Sequence, residues 1–292
     1  MKQGLNQVNI EGIVSEINLR EIDKTQEQGK KYVAGNMVVQ VTDNDGKVNF
    51  IPVDFISANI KKDGTENKNY ARLMQLKDFN SIASAGIDAA TKVQIRNASL
   101  TESLFLPANG TEVLSAMKIN SNFFTKVNDA NYTPRSTFSL NAFILSMEDE
   151  IRNDEPTGRL IIQAAVVGYA DKVEIFKLIA EKQSYIDFIR ANWKVGDTVN
   201  VGGNVRFTEE TVQVEQEVGF GEAEVKNFTK RTKELIITRG STGPVSEEEA
   251  YSEEDIKKAL LARKARMEEV KKKAQSNTTN TVNAVSSGSF DF

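Results

Sequence analysis

Apolar and polar residues alternate over much of the first half of the chain. In VNIEGIVSEINL (8–19), Val8, Ile10, Val14, Ile17 and Leu19 are spaced for a strand, and Gly12 permits a bend within it. A polar connection, EIDKTQEQGKK (21–31), follows. YVAGNMVVQVTDNDGKVNFIPVDF (32–55) then predicts a hairpin. Val39 and Val41 lead into the turn DNDG (43–46), and Val48, Phe50, Pro52 and Asp54 alternate with Asn49, Ile51, Val53 and Phe55. Asp-Gly between apolar runs favours a tight turn, and Pro52 marks the second arm as an edge or a bulged strand. NYARLMQLKDFNSIA (69–83) places Tyr70, Leu73, Leu76 and Phe79 on one helical face, with Met74 beside them. TKVQIRNASL (91–100) returns to strand character, and SLFLPANGTEVLSAMKI (103–119) forms a strand pair turning at ANG. NSNFFTKVNDANYTPRST (120–137) is turn-rich and suits a junction.

The second half repeats the plan. TFSLNAFILSM (137–147) is a strand, EDEIRNDEPTG (148–158) a polar loop, and RLIIQAAVVGYADKVEIFKLIA (159–180) a strand pair broken near GYADK. SYIDFIRANW (184–193) is a short helix, KVGDTVNVGGNVRF (194–207) a turn and strand, and EVKNFTKRTKELIITRG (224–240) the last strand region. The predicted class is therefore all-β dominated: two small barrels, 1–122 and 123–240, each with short helices. A charged helix follows in 241–275. Ser252 precedes Glu253, Glu254 and Asp255 at its start, Lys271 to Lys273 sit near its other end, and Ile256, Ala259, Leu260, Ala262 and Met267 form a thin apolar stripe. The polar residues of 276–292 predict a disordered, flexible tail.

Composition narrows the chemistry. The 292 residues contain no Cys and no His, which removes disulfides, thiolate nucleophiles, His-based triads and the usual zinc ligand sets. No metal or cofactor is expected. The acid clusters EDE (148–150), NDE (153–155) and SEEE (246–249) read as solvating loops, with no spacing that aims two carboxylates at one ion, so no enzymatic activity is expected. No apolar run approaches a membrane span, and the start MKQGLNQVNI lacks a signal-peptide core, so a cytoplasmic protein with no membrane partner is expected. A net charge of -4, from 37 basic and 41 acidic residues, excludes a uniformly basic nucleic-acid binder but not a local basic face.

Three stretches carry a family resemblance. KVGDTVNVGGNVRF, with Gly196, Asp197, Val199, Val201 and Gly203, resembles the fourth-strand region of OB-fold domains. NQVNIEGIVSEI (6–17) is similar to an OB first strand, bending at Gly12. The terminus SSGSFDF, after a polar linker, resembles the C-terminal tip of phage and bacterial single-stranded-DNA-binding proteins. This tip has one Asp and no Pro where the family's is Asp-rich and ends in Pro-Phe, and the usual member has one OB domain per chain. The resemblance implies two OB-fold-like barrels that bind single-stranded DNA, or RNA, without reading sequence. It also implies roles in phage DNA replication and recombination in the host-cell cytoplasm, with Phe290, Asp291 and Phe292 recruiting replication or recombination proteins. A viral structural or assembly protein built from β-barrels is the alternative.

Single-strand binding needs cations along a backbone path and rings for base stacking. Two regions combine them. The first holds Lys30, Lys31, Tyr32, Lys47 and Phe50, joined by Arg96 and Phe105, with Phe123, Phe124 and Lys126 near the junction. The second holds Arg159, Tyr169, Lys172, Phe176, Lys177, Arg206 and Phe207 with Lys226, Phe228, Lys230, Arg231 and Lys233 of KNFTKRTK. Lys226, Phe228 and Lys230 share one strand face by the period of two. Phe50, Phe176 and Phe207 read as core rings before they read as stacking platforms. Tyr32, Phe123 and Phe228 have more polar neighbours, and Trp193 reads as a cap on a barrel end.

Overall fold

The computed structural model describes residues 1–24, 30–43, 46–108, 110–216 and 224–285, without the side chains of 24, 212–216, 224–226, 228 and 276–285. Strand β1 (Asn6–Lys24) opens the chain and hairpin β2 (Lys30–Thr42) and β3 (Val48–Ala58) follows. After helices α1 (Lys68–Met74) and α2 (Ile82–Ala85) come β4 (Lys92–Phe105) and β5 (Leu114–Asn120). These strands close in the order β1-β2-β3-β5-β4-β1, with β3 and β5 parallel and the other pairs antiparallel.

The second half builds the same barrel. Strands β7 (Arg135–Arg152), β8 (Glu155–Val167), β9 (Val173–Ala180), β10 (Thr198–Gln216) and β11 (Glu224–Gly240) close as β7-β8-β9-β11-β10-β7, with helix α3 (Gln183–Asn192) between β9 and β10. A five-stranded barrel with a helix between its third and fourth strands is OB-fold-like. The short β6 (Thr125–Lys126) pairs with β4, so the chain through Lys126 still belongs to the first barrel's sheet.

The barrels join edge to edge. Asn6 to Glu11 of β1 pair antiparallel with Leu140 to Arg135 of β7, and Val8 opposite Phe138 fuses the two interiors into one apolar core. Each first strand serves two sets of partners by bulging after its core residue, between Val14 and Glu16 in β1 and between Ile144 and Ser146 in β7. A Cβ on Gly12 would collide with the Gln40 carbonyl and Val39, so the close approach of β2 requires glycine there. Leu73 and Leu76 close one barrel end. Ile186, Ile189 and Trp193 close the other, where the Trp193 indole donates to the Ser241 carbonyl at 3.0 Å.

The predicted polar loop 148–158 is instead a hairpin. β7 runs to Arg152, and Asn153 and Asp154 turn it with φ of 50° and 63°. Asn and Asp tolerate that left-handed backbone, so polar residues suffice for a tight turn. Pro52 lies where β3 contacts β5 only at Val53 and Asp54, close to the edge its presence predicts. Helix α4 (Glu253–Val285) starts where Ser252 accepts from the Asp255 N–H at 3.1 Å, and extends into the stretch whose composition predicts a flexible tail. The tip residues Phe290, Asp291 and Phe292 lie outside the described residues. Among the described residues no helix is long and apolar enough to cross a membrane.

Candidate nucleic-acid interface

Strand register decides what each side chain faces. Val33, Met37, Val39 and Val41 of β2 point into the first barrel, so Lys30, Tyr32, Ala34, Asn36, Val38 and Gln40 share its outer face. β3 adds Phe50, Pro52, Asp54 and Ile56, opposite Gln40, Val38, Asn36 and Ala34. A trough runs along this face. One half is lined by Asn18, Arg20, Ala34, Asn36, Asp54, Ile56, Lys118 and Asn120. The other is lined by Glu16, Asn36, Val38, Phe50 and Pro52, walled by Phe207 to Glu209 and Arg231 to Lys233. That wall is the long β10–β11 arm of the second barrel. It is anchored where the Phe207 N–H donates to the Asn49 side chain at 3.1 Å.

The trough brings an aromatic ring and several cations onto one open face. Phe50 is a half-buried ring with one face in the groove. Lys118 pairs with Asp54 at 2.7 Å, and Arg231 with Glu209 at 2.7 Å. The Lys233 ammonium stands 5.2 Å from the Phe207 ring centroid. Desolvation pulls it below the usual lysine range; Asp54 opposes that, while the Lys118 and Arg231 charges add to it. Lys118, Arg231 and Lys233 share the groove with Glu16, Asp54 and Glu209, and an anion entering beside Lys233 would offset the repulsion it feels from the other two cations.

The remaining first-barrel predictions fall around this trough. Lys30 and Tyr32 continue its line on β2. Lys31 lies on the other face, exposed, 3.9 Å from Asp23. Lys47 is exposed on the β2–β3 turn, at the Phe50 end. Phe123 is exposed, with the Arg72 guanidinium 5.0 Å from its ring. Its neighbour Asn122 accepts from the Ile56 N–H at 3.2 Å, which puts this ring at the other end. Arg96 is exposed in the β4 bulge and does not line the trough. Lys126 sits 4.7 Å from the Phe79 ring and donates to the Asp78 carbonyl, so it braces that turn instead.

The second region is corrected more heavily. Arg159 and Arg206 are held in an ion network. Arg159 lies 2.7 Å from Glu234, 3.4 Å from Glu150 and 3.5 Å from Glu181, and Arg206 contacts Glu181 at 2.7 Å. Burial works to raise the Glu181 carboxyl, but the Arg206 hydrogen bond and the charges of Arg206 and Arg159 more than reverse it. Their carboxylate partners lie far off in sequence, so spacing alone left them as free cations. Tyr169 and Lys172 are exposed on the β8–β9 turn, away from the trough. Lys230 is exposed on the arm, while the side chains of Lys226 and Phe228 lie outside the described residues. Phe176 and Phe207 are buried core rings, as their neighbours predict. Sequence reasoning missed Arg20, Asn36 and Lys118. The alternation within 32–55 already put Asn36 on the Phe50 side, whereas Lys118 reaches the trough only through the β3–β5 pairing.

Fold and site thus define a two-barrel, OB-fold-like protein with an open trough on one barrel. The chain belongs to the YorF family, whose model matches residues 4–273. No curated protein matches it. Among solved structures it is similar to the wild-type single-stranded DNA binding protein from Thermus aquaticus, with 12% identity, a TM-score of 0.48, and coverage of 84% of this chain and 95% of that one. A deletion variant of the same Thermus protein gives 11%, 0.49, 85% and 98%. A replication protein A heterotrimer bound to single-stranded DNA gives 11%, 0.20, 85% and 51%.

Proposed function

We propose that this protein binds single-stranded DNA without sequence preference, laying the strand along the β2–β3 face of the first barrel. The observation that carries this reading is the trough itself, where the Phe50 ring and the cations Lys118, Arg231 and Lys233 line one groove. Rings stack on any base and cations follow the phosphates, so affinity arises without base-edge readout. The protein acts by binding, not by catalysis. It covers transient single strands against re-pairing and nucleases, and its C-terminal tip recruits replication or recombination proteins.

Anisotropy titration of labelled single-stranded and duplex DNA, at two salt concentrations, tests the reading. Binding is expected to favour the single strand, because only there are base faces exposed, and to weaken steeply with salt. Equal affinity for duplex, or no binding, would sink it. A single-stranded RNA arm reports whether the sugar matters. Deleting 276–292 should leave strand binding unchanged.

A further inference from the structure

The two barrels share a strand order, so their outer faces can be matched position by position through the pairing registers. Gln40 and Phe50 correspond to Ala165 and Ile175, and Asn36 and Asp54 to Ile161 and Ile179. The face that is a trough on the first barrel is occupied at both ends on the second, with Lys177 exposed between them. Helix α4 lies over one end of it: Ile256, 1% exposed, and Ala259 pack on Phe143, Ala165, Val167 and Val173. Arg266 donates to the Val173 carbonyl at 3.1 Å. Arg263 makes a nearly buried ion pair with Glu102, which belongs to β4 of the first barrel. Lifting α4 would therefore break contacts with both barrels and strand a buried glutamate. The other end is filled by the network of Arg159, Glu181, Arg206 and Glu234, where each cation has two or more carboxylates within 4 Å.

We infer that the second barrel's outer face is the seat of α4 rather than a second strand-binding surface, so that a chain with two barrels engages one strand at one barrel. The inference rests on the reading of the trough given above. One end of that face is apolar side chains buried under a helix, and at the other Arg159 and Arg206 each meet two or more carboxylates, whereas Lys118 and Arg231 of the trough are each paired with one. The second barrel instead contributes its β10–β11 arm as the wall of the first barrel's trough.

Titration of the full-length protein against oligonucleotides of increasing length is the test. The wild type should show a single footprint in the lower part of the roughly 4–16 nucleotides that one such fold covers. Combining Phe50→Ala, Lys118→Ala and Lys233→Ala, at positions that are not core, should lower affinity at least about a hundredfold, with no residual site. Absence of binding by the wild type would overturn the trough reading itself. Binding by the wild type, with a residual site in the triple variant that Lys177→Ala then removes, would overturn this inference alone. A second chain variant, Ile256→Asp with Arg263→Ala, releases the helix. It should make α4 accessible to protease and leave trough affinity unchanged. Unchanged protection of α4 would overturn its docking by these residues, and a newly gained second footprint would show that the covered face does bind strands.

Discussion

The two barrels differ least where they are buried and most where they face out. Their bulges, parallel closing pairs and helix caps match, and even the contact each makes to the other is repeated. Asn49 of β3 accepts from the Phe207 backbone N–H, and the corresponding Glu174 of β9 accepts from the Glu102 N–H. On the outer faces, Ala34 and Lys118 of the first barrel correspond to Arg159 and Glu234 of the second. A few such exchanges convert an open groove into an ion network. On the proposed reading, the shared fold offers the same face twice and the side chains select the first barrel's.

The largest predicted effect tests the closed side. Arg159→Ala takes from Glu150 and Glu234, at 10% and 9% side-chain exposure, one of the two cations they share, the other being Arg152 at 2.8 Å and 3.6 Å. A buried charge left with no partner costs about 3–5 kcal/mol, and because Arg152 and Arg206 remain the loss should fall at or below the lower end of that range. Urea unfolding should show that loss, while single-strand affinity measured where the protein is folded stays at the wild-type value. Lost affinity with unchanged stability would make the second face a strand site and erase the contrast.

How far the sequence foretold this contrast depends on whether a feature is local. The hairpin around DNDG, the helix start at Ser252 and the Trp193 cap all follow from the local pattern, and all are present. Phe50 is the instructive failure. An aromatic beside Asn49 in a strand reads as core, yet Asn49 is the buried one and Phe50 faces the groove. The inversion is stable because the other barrel supplies Asn49 with a backbone N–H, a partner 158 residues away. Arg159 and Arg206 were misjudged for the same reason, since an ion pair across strands leaves no trace in local pattern. The docking site of α4 is not legible in its thin stripe, because the apolar surface that Ile256 and Ala259 meet, Phe143, Ala165, Val167 and Val173, comes from strands far off in sequence.

A second prediction separates the matched contacts. Where β9 meets β4, burial is the main force raising the Glu174 carboxyl to about 7; the Glu102 N–H opposes that, the Glu102 charge adds to it, and Arg266 and Lys172 oppose it. A carboxyl raised on folding takes up protons between its unfolded value of 4.5 and about 7. Its contribution is therefore fully present below pH 4.5 and lost as pH rises through 7. Glu174→Asn, copying the residue at the first barrel's equivalent position, should remove that component of the stability–pH slope and retain the backbone contact. An unchanged slope in urea titrations across this range would assign it to another group.

The smallest effect falls on Lys118, where the comparison is sharpest because the second barrel has an acid. Its ion pair with Asp54 is partly exposed, at 48% and 31%, so losing it should cost the fold no more than about 1 kcal/mol. Its part in binding is read from the salt dependence, not from affinity at one condition. A cation that neutralises one phosphate of a single strand adds about 0.7 to the slope of log affinity against log salt. Lys118→Ala should lower the slope by that amount, and Lys118→Glu, which installs the second barrel's charge, should lower affinity further at low salt. Equal slopes for wild type and Lys118→Ala would place the phosphate path elsewhere on the β2–β3 face. The exchange of Lys118 for Glu234 would then concern stability alone, and the trough's selectivity for one barrel would rest on the Phe50 ring and on the cations of the arm.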